Sequence, residues 1–126
     1  MLVGGSGQDT LYGWGNDILV GGSNNAFSAA LITRLNNDPF APPLAGDGAR
    51  DTFIAVNKQG LGYTLTVTDY EVGIDRIDLR AFGVTSAAQF VEIQDKGGWF
   101  EAKTPVVGSA ELVLRINADP NQLTYI

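Results

Sequence analysis

With 126 residues, the chain has the length of one domain and enough apolar side chains, 44%, for a modest core. Fourteen acidic against eight basic residues leave a net charge of −6, which argues against nucleic acid or an anionic membrane surface as partner. Cysteine and histidine are absent, which excludes disulfides, thiolate and imidazole metal sites and a histidine general base. Sixteen glycines favour a turn-rich β protein. No apolar run reaches membrane-spanning length, so no membrane insertion is expected, and no signal-peptide pattern opens the chain.

The first stretch, Gly4 to Gly22, reads as tandem short units. Gly4-Gly5-Ser6-Gly7-Gln8-Asp9-Thr10-Leu11-Tyr12 fits the nonapeptide G-G-x-G-x-D-x-U-x at every fixed position, U being a large aliphatic residue. Gly13-Trp14-Gly15-Asn16-Asp17-Ile18-Leu19-Val20 is the same unit one residue short, and a third turn opens at Gly21-Gly22-Ser23. Ile18-Leu19-Val20-Gly21-Gly22-Ser23 echoes Met1-Leu2-Val3-Gly4-Gly5-Ser6, so Leu2, Leu11 and Leu19 are successive U positions of an array already under way at Met1. Glycine reaches positive φ without a Cβ clash and turns backbone carbonyls inward. A hard divalent cation such as calcium takes six to eight oxygen ligands, which such carbonyls and aspartates supply. The candidate ligands are Gly4, Gly5, Ser6, Gly7 and Asp9, then Gly13, Gly15 and Asp17, then Gly22 and Asn24, with Ala26 where a third aspartate belongs. A flexible glycine linker is the alternative, but linkers do not place aspartate two residues before leucine at two consecutive turns.

This pattern resembles the RTX (repeats-in-toxin) family, whose nonapeptides bind calcium between the turns of a parallel β-roll. In such a roll successive turns alternate between two edges. Asp9 is then expected to face the third turn, and Asp17 the fourth. Residues 26–45 interrupt the glycine pattern and read as an insertion, with strand or helix left open over 26–34, a turn at Asn36-Asn37-Asp38-Pro39 and irregular chain at Pro42-Pro43. Turn chemistry resumes at Gly46 and closes on Asp51, which puts Phe53 at the U position. With the insertion looped out, this is the fourth turn, and Asp17 and Asp51 are expected to bracket one ion.

Beyond it, Tyr63-Thr64-Leu65-Thr66-Val67-Thr68 alternates as a half-buried strand does. The segment from Thr68 to Leu79, TDYEVGIDRIDL, resembles I-x-D-F-x-x-G-x-D-K-I-D-L, found after the last roll turn in the RTX domains of serralysin-type metalloproteases. Tyr70 replaces Phe and Arg76 replaces Lys. Asp69, Asp75 and Asp78 are therefore candidate calcium ligands at the junction of roll and cap, the alternative being solvated aspartates balanced by Arg76. Ser86 to Gln89 reads as a capping box, and strands are expected at Trp99–Lys103 and Glu111–Ile116, with Leu112, Leu114 and Ile116 on one face.

The dinucleotide, phosphate-loop and nucleophile-elbow patterns all fail, and H-E-x-x-H is absent, so the resemblance carries no protease activity and no enzyme is expected. The expected fold is all-β: a short parallel β-roll of nonapeptide repeats over 1–56, capped over 57–126 by an antiparallel β-sandwich-like tail in one continuous domain. The resemblance implies calcium-dependent folding of a module of a larger secreted bacterial protein. It also implies export by a type I exporter that reads a C-terminal signal, here Leu123 to Ile126. The rival reading is a polysaccharide-binding accessory module, as in mannuronan epimerases, with Trp14 and Trp99 as stacking platforms. Only Arg34 and Arg50 lie near the expected roll, which favours the first reading.

Overall fold

The computed structural model describes residues 1–5, 7–22, 29–40, 48–57, 62–106 and 110–126. Each glycine turn releases a short apolar run, and these runs form strands β1 (Leu2–Val3), β2 (Thr10–Gly13) and β3 (Ile18–Val20). Strands β4 (Thr52–Ala55), β5 (Tyr63–Val67) and β6 (Arg76–Asp78) continue the same alternation. Odd and even members go to different sheets. The first ladder is parallel, with Leu2 opposite Leu19 and Leu19 opposite Val67. The second is also parallel, with Leu11 opposite Phe53 and Phe53 opposite Ile77. Both ladders run on past residue 56, through β5 and β6.

The last third adds β7 (Glu92–Asp95), β8 (Phe100–Lys103) and β9 (Leu112–Ile116). These do not form a separate antiparallel layer, as the sequence suggested. They pair antiparallel with one another, but β9 joins β5 in parallel from Tyr63–Leu112 to Val67–Ile116. The reason is the free edge of β5, whose main-chain groups need a partner. One mixed six-stranded sheet results, ordered β1-β3-β5-β9-β8-β7, beside a three-stranded parallel sheet ordered β2-β4-β6. The molecule is thus mainly β.

Between the sheets, Leu11, Phe53 and Ile77 face Leu19, Leu65 and Val67 in one cluster that continues through Phe82, Leu112, Leu114 and Ile116. The apolar alternation of β9 places Leu112, Leu114 and Ile116 inward, all fully buried. Gly13 is required here because a Cβ would lie 2.4 Å from a Leu65 methyl.

Within the insertion, Ala29–Asn37 is a helix, α1, which settles the open choice between strand and helix. Leu35 of α1 is buried with Val20 on the outer side of β3. Asp38 then turns the chain by accepting the Phe40 N–H, and Phe40 stacks on Trp99 with centroids 4.9 Å apart. Arg115 approaches the same indole at 5.7 Å. Residues 29–40 therefore cover Val20 and Trp99 on the outer side of the six-stranded sheet. Ser86 leads into a 3-10 turn, Ala87–Gln89, where Gln89 accepts its N–H as expected of the capping box.

The C-terminal segment is docked rather than free. Ile77 N–H donates to Thr124 O at 2.9 Å, and Ile126 N–H donates to Ile77 O at 3.0 Å. Tyr70 Oη, at the same place, accepts from the Thr124 N–H and donates to Asp75 O. No helix among the described residues is long and apolar enough to cross a membrane.

Phe53 is fully buried at the centre of the three-stranded ladder. Phe53→Ala is expected to cost about 3–5 kcal/mol of unfolding free energy, read by urea denaturation with an unchanged slope.

Candidate metal-binding edge

In-register stacking carries the turns into columns. Two residues beyond Leu2, Leu19 and Val67 come Gly4, Gly21 and Asp69. One residue before Thr10, Thr52 and Arg76 come Asp9, Asp51 and Asp75. Both columns lie on one edge, since a Cβ placed on Gly21 would meet Asp51 Oδ2 at 2.4 Å. Gly7, Gly15 and Gly73 all have φ between 81° and 93°, and each sits two residues ahead of an aspartate. Gly73-Ile74-Asp75-Arg76-Ile77 is therefore a further copy of the G-x-D-x-U pattern.

The carboxylates clasp the coil before them. Asp51 Oδ1 accepts the Asp9 N–H at 2.9 Å, and Asp75 Oδ1 accepts the Asp51 N–H at 2.9 Å. Asp69 accepts from Gly21 N–H at 2.8 Å and Gly22 N–H at 3.0 Å. Glu71 accepts from Gly48 N–H at 3.1 Å, and its own N–H donates to Asp75 Oδ2. Burial pushes the Asp69 carboxyl up to about 6, with the nearby Asp75 and Glu71 adding to the rise against the pull of its two backbone donors.

One oxygen on this edge has no partner: Asp9 Oδ2 is buried without a hydrogen bond. It points at Gly4, where a Cβ would meet it at 2.6 Å and the Gly21 carbonyl oxygen at 2.3 Å. A carboxylate oxygen and a carbonyl oxygen therefore converge on a niche that only glycine leaves open. Such hard, anionic donors suit calcium or a similar cation, and an orphaned buried carboxylate oxygen is costly without one. Asp9, Asp51, Asp69 and Asp75 with the carbonyls of Gly4, Gly21 and Gly22 are the groups that would hold it. Among the described residues no three acidic side chains are gathered to hold an ion alone, so carbonyls would supply part of the shell.

The remaining candidates are dispersed. Asp17 lies at the start of β3, where its Oδ2 accepts the Trp14 N–H at 3.1 Å, while Asp51 packs against Gly21 at the other end of that strand. The expected pairing of Asp17 with Asp51 is therefore not made. The insertion falls inside the third turn, which opens at Gly21 and closes on Asp51, so Asp51 stacks on Asp9 and supplies the aspartate missing at Ala26. The Gly13 carbonyl accepts from Tyr63 Oη and Val56 N–H, and Gly15 O accepts from Asp17 N–H. Gly5 and Gly7 turn the chain at positive φ. Asp78 faces outward and takes a two-pronged contact from Arg80, at 3.0 and 2.9 Å, which holds its carboxyl below the usual range. Arg80 rather than Arg76 balances it. Ser6, Asn24 and Gly46 lie outside the described residues. In comparisons with known proteins, no family model, curated protein or solved structure matches the chain.

Because Asp69 is raised from 3.8 to about 6 in the fold, the native chain binds the proton more tightly than the unfolded one. Its contribution to stability is full below pH 4 and is lost as pH rises through 6. In chelator, wild type is expected to lose on the order of 3 kcal/mol relative to Asp69→Asn between pH 4 and pH 7. Parallel stability curves for the two proteins would contradict this.

Proposed function

We propose that the chain is a calcium-binding β-roll module, in which calcium at the aspartate edge completes and stabilises the stacked coils. The observation that carries this is the column Asp9, Asp51 and Asp75, in register with the buried, unpartnered Asp9 Oδ2 beside the Gly21 carbonyl. Parallel strands bring such residues about 4.8 Å apart, a spacing at which like charges repel unless a cation lies among them. A ligand that binds only the stacked arrangement stabilises it by mass action, about 2.7 kcal/mol at a hundred times its Kd. The role is binding and folding rather than catalysis.

The wider reading is a module of a larger extracellular bacterial protein that folds after leaving through a type I exporter. Its support is the RTX resemblance of Gly4–Tyr12 and Thr68–Leu79 together with the acidic edge. Extracellular modules of this chemistry work with calcium dissociation constants of about 10⁻⁴–10⁻³ M, so the edge would stay empty where calcium is scarce.

The test is thermal unfolding and calorimetric titration of the whole chain in chelator and in millimolar calcium. Calcium should raise the melting temperature. Asp9→Asn and Asp51→Asn should each weaken the same site about tenfold or more, whereas Asp17→Asn, at the other end of β3, leaves that site unchanged. Equal melting temperatures with and without calcium would refute the reading.

A further inference from the structure

The edges of the two sheets are finished differently. On the far side of β6, Thr124 and Ile126 bond to Ile77 and cover that edge. The outermost strand of the larger sheet, β7, carries Glu92 and Asp95, charges of the kind that discourage a further strand. β1 and β2, the first strands of their sheets, have neither device. Among the described residues no strand pairs on their outer sides, and Leu2–Val3 and Thr10–Gly13 contain no charge and no proline.

These two edges lie together at one end of the coil, where β1 and β2 touch. Leu2 is in register with the fully buried Leu19, yet it is 39% exposed because nothing stacks on its other side. Beside it Val3 is 40% exposed, and Tyr12 on β2 is 56% exposed. The edge is preformed. The Met1 ammonium lies 3.8 Å from Asp17 Oδ1, and the Gly4 N–H donates to Val20 O, so β1 is held at both ends. Each copy of the chain carries a net charge of −6, and this uncharged end is where two copies meet with least repulsion.

The geometry of the end makes it complementary to itself. Gly4 follows β1 and Asp9 precedes β2, and a Cβ on Gly4 would lie 2.8 Å from Asp9 Cβ, so the two strands run in opposite directions from one edge. β2 touches both β1 and β3, which sets it half a coil deeper than β1, or about 2.4 Å. A two-fold axis parallel to the strands then lays β1 of each copy antiparallel on β2 of the other, both pairs at the ordinary strand spacing. An axis across the strands would pair β1 with β1 but leave the two β2 strands about 9.6 Å apart, too far to bond. Counting from the level pair Gly4 and Asp9 sets the register. Leu2 meets Leu11 of the second copy on the inner side, and Val3 meets Thr10 on the outer side.

We propose that the chain pairs with a second copy of itself through β1 and β2, in a two-fold dimer whose sheets run on from one copy into the other. Leu2 is thereby enclosed between Leu19 of its own chain and Leu11 of its partner. The proposal does not depend on the calcium reading. The test is sedimentation of the full chain in millimolar calcium, which keeps the first coil stacked under either outcome of that reading. The strands are short, so the interface belongs to the weak class below about 1,200 Å² in total, and dimer should grow in between about 10 µM and 1 mM. Leu2→Lys and Tyr12→Lys should each weaken association about tenfold or more, whereas Ile93→Lys, on the charged edge β7, should leave it unchanged. Cross-linking tests the register without perturbing the core, since the chain has no cysteine of its own. Residues directly opposite in an antiparallel pair have Cα atoms about 5 Å apart, within disulfide reach. Val3→Cys mixed with Thr10→Cys should therefore oxidise to a covalent dimer, and Val3→Cys alone should not. Should a lysine variant fail to fold, this cross-link decides. The proposal is overturned by a monomer at every concentration, by unchanged association in the folded Leu2 and Tyr12 variants, by loss of association in the folded Ile93 variant, by absence of the mixed cross-link, or by equal cross-linking of Val3→Cys alone, which would indicate β1 paired with β1.

Discussion

Parallel strands drawn from successive coils have no hairpin to fix their register, and a slip of one residue would turn every side chain to the wrong face. Carboxylates at the turns supply that restraint here. Asp51 accepts the N–H of Asp9, and Asp75 accepts the N–H of Asp51, so each coil is pinned to the one before at the same residue. Asp69 does the same for Gly21 and Gly22 in the neighbouring column. The apolar stack of Leu11, Phe53 and Ile77 follows from this alignment, as does the position of β5 that β9 extends.

The same restraint concentrates negative charge. Four aspartates share one edge, and burial, with Asp75 and Glu71 adding to it, makes the Asp69 carboxyl resist ionisation. Glycine at positions 4 and 21 lets the carboxylates approach the backbone closely, and this close approach strands one oxygen of Asp9. Structural pinning and the gathering of negative charge are therefore two aspects of one arrangement. The strand that follows Asp75 has the opposite character, since Arg76 lies on it beside Thr52 and Arg80, just past its end, pairs with Asp78.

What the sequence revealed depended on how local each signal was. The repeats at Gly4–Val20 were legible because glycine, aspartate and aliphatic residues recur within a few positions, and Phe53 was placed correctly opposite the interior by the same rule. Gly73-Ile74-Asp75-Arg76-Ile77 carries that rule too, but its turn lacks the other glycines and was assigned to a segment beyond the repeats. The insertion hid a second relation: Gly21 and Asp51 belong to one turn although thirty positions separate them. β7 left no clear trace, because its exposed residues are held by pairing with β8 rather than by burial. The parallel pairing of β5 with β9 is a long-range contact that no local pattern encodes.

The docking of residues 123–126 onto Ile77 sets a constraint in time. A chain that appears N-terminus first, from a ribosome or from a channel, presents β2, β4 and β6 long before Thr124 and Ile126 arrive to occupy the free side of β6. Until then that strand is an unfinished edge, open to pairing with other chains. Closure of that edge comes only once residues 123–126 follow. The small sheet therefore reaches its final arrangement only after Thr124 and Ile126 have joined Ile77, and a half-emerged copy is held back from that shape by its own topology.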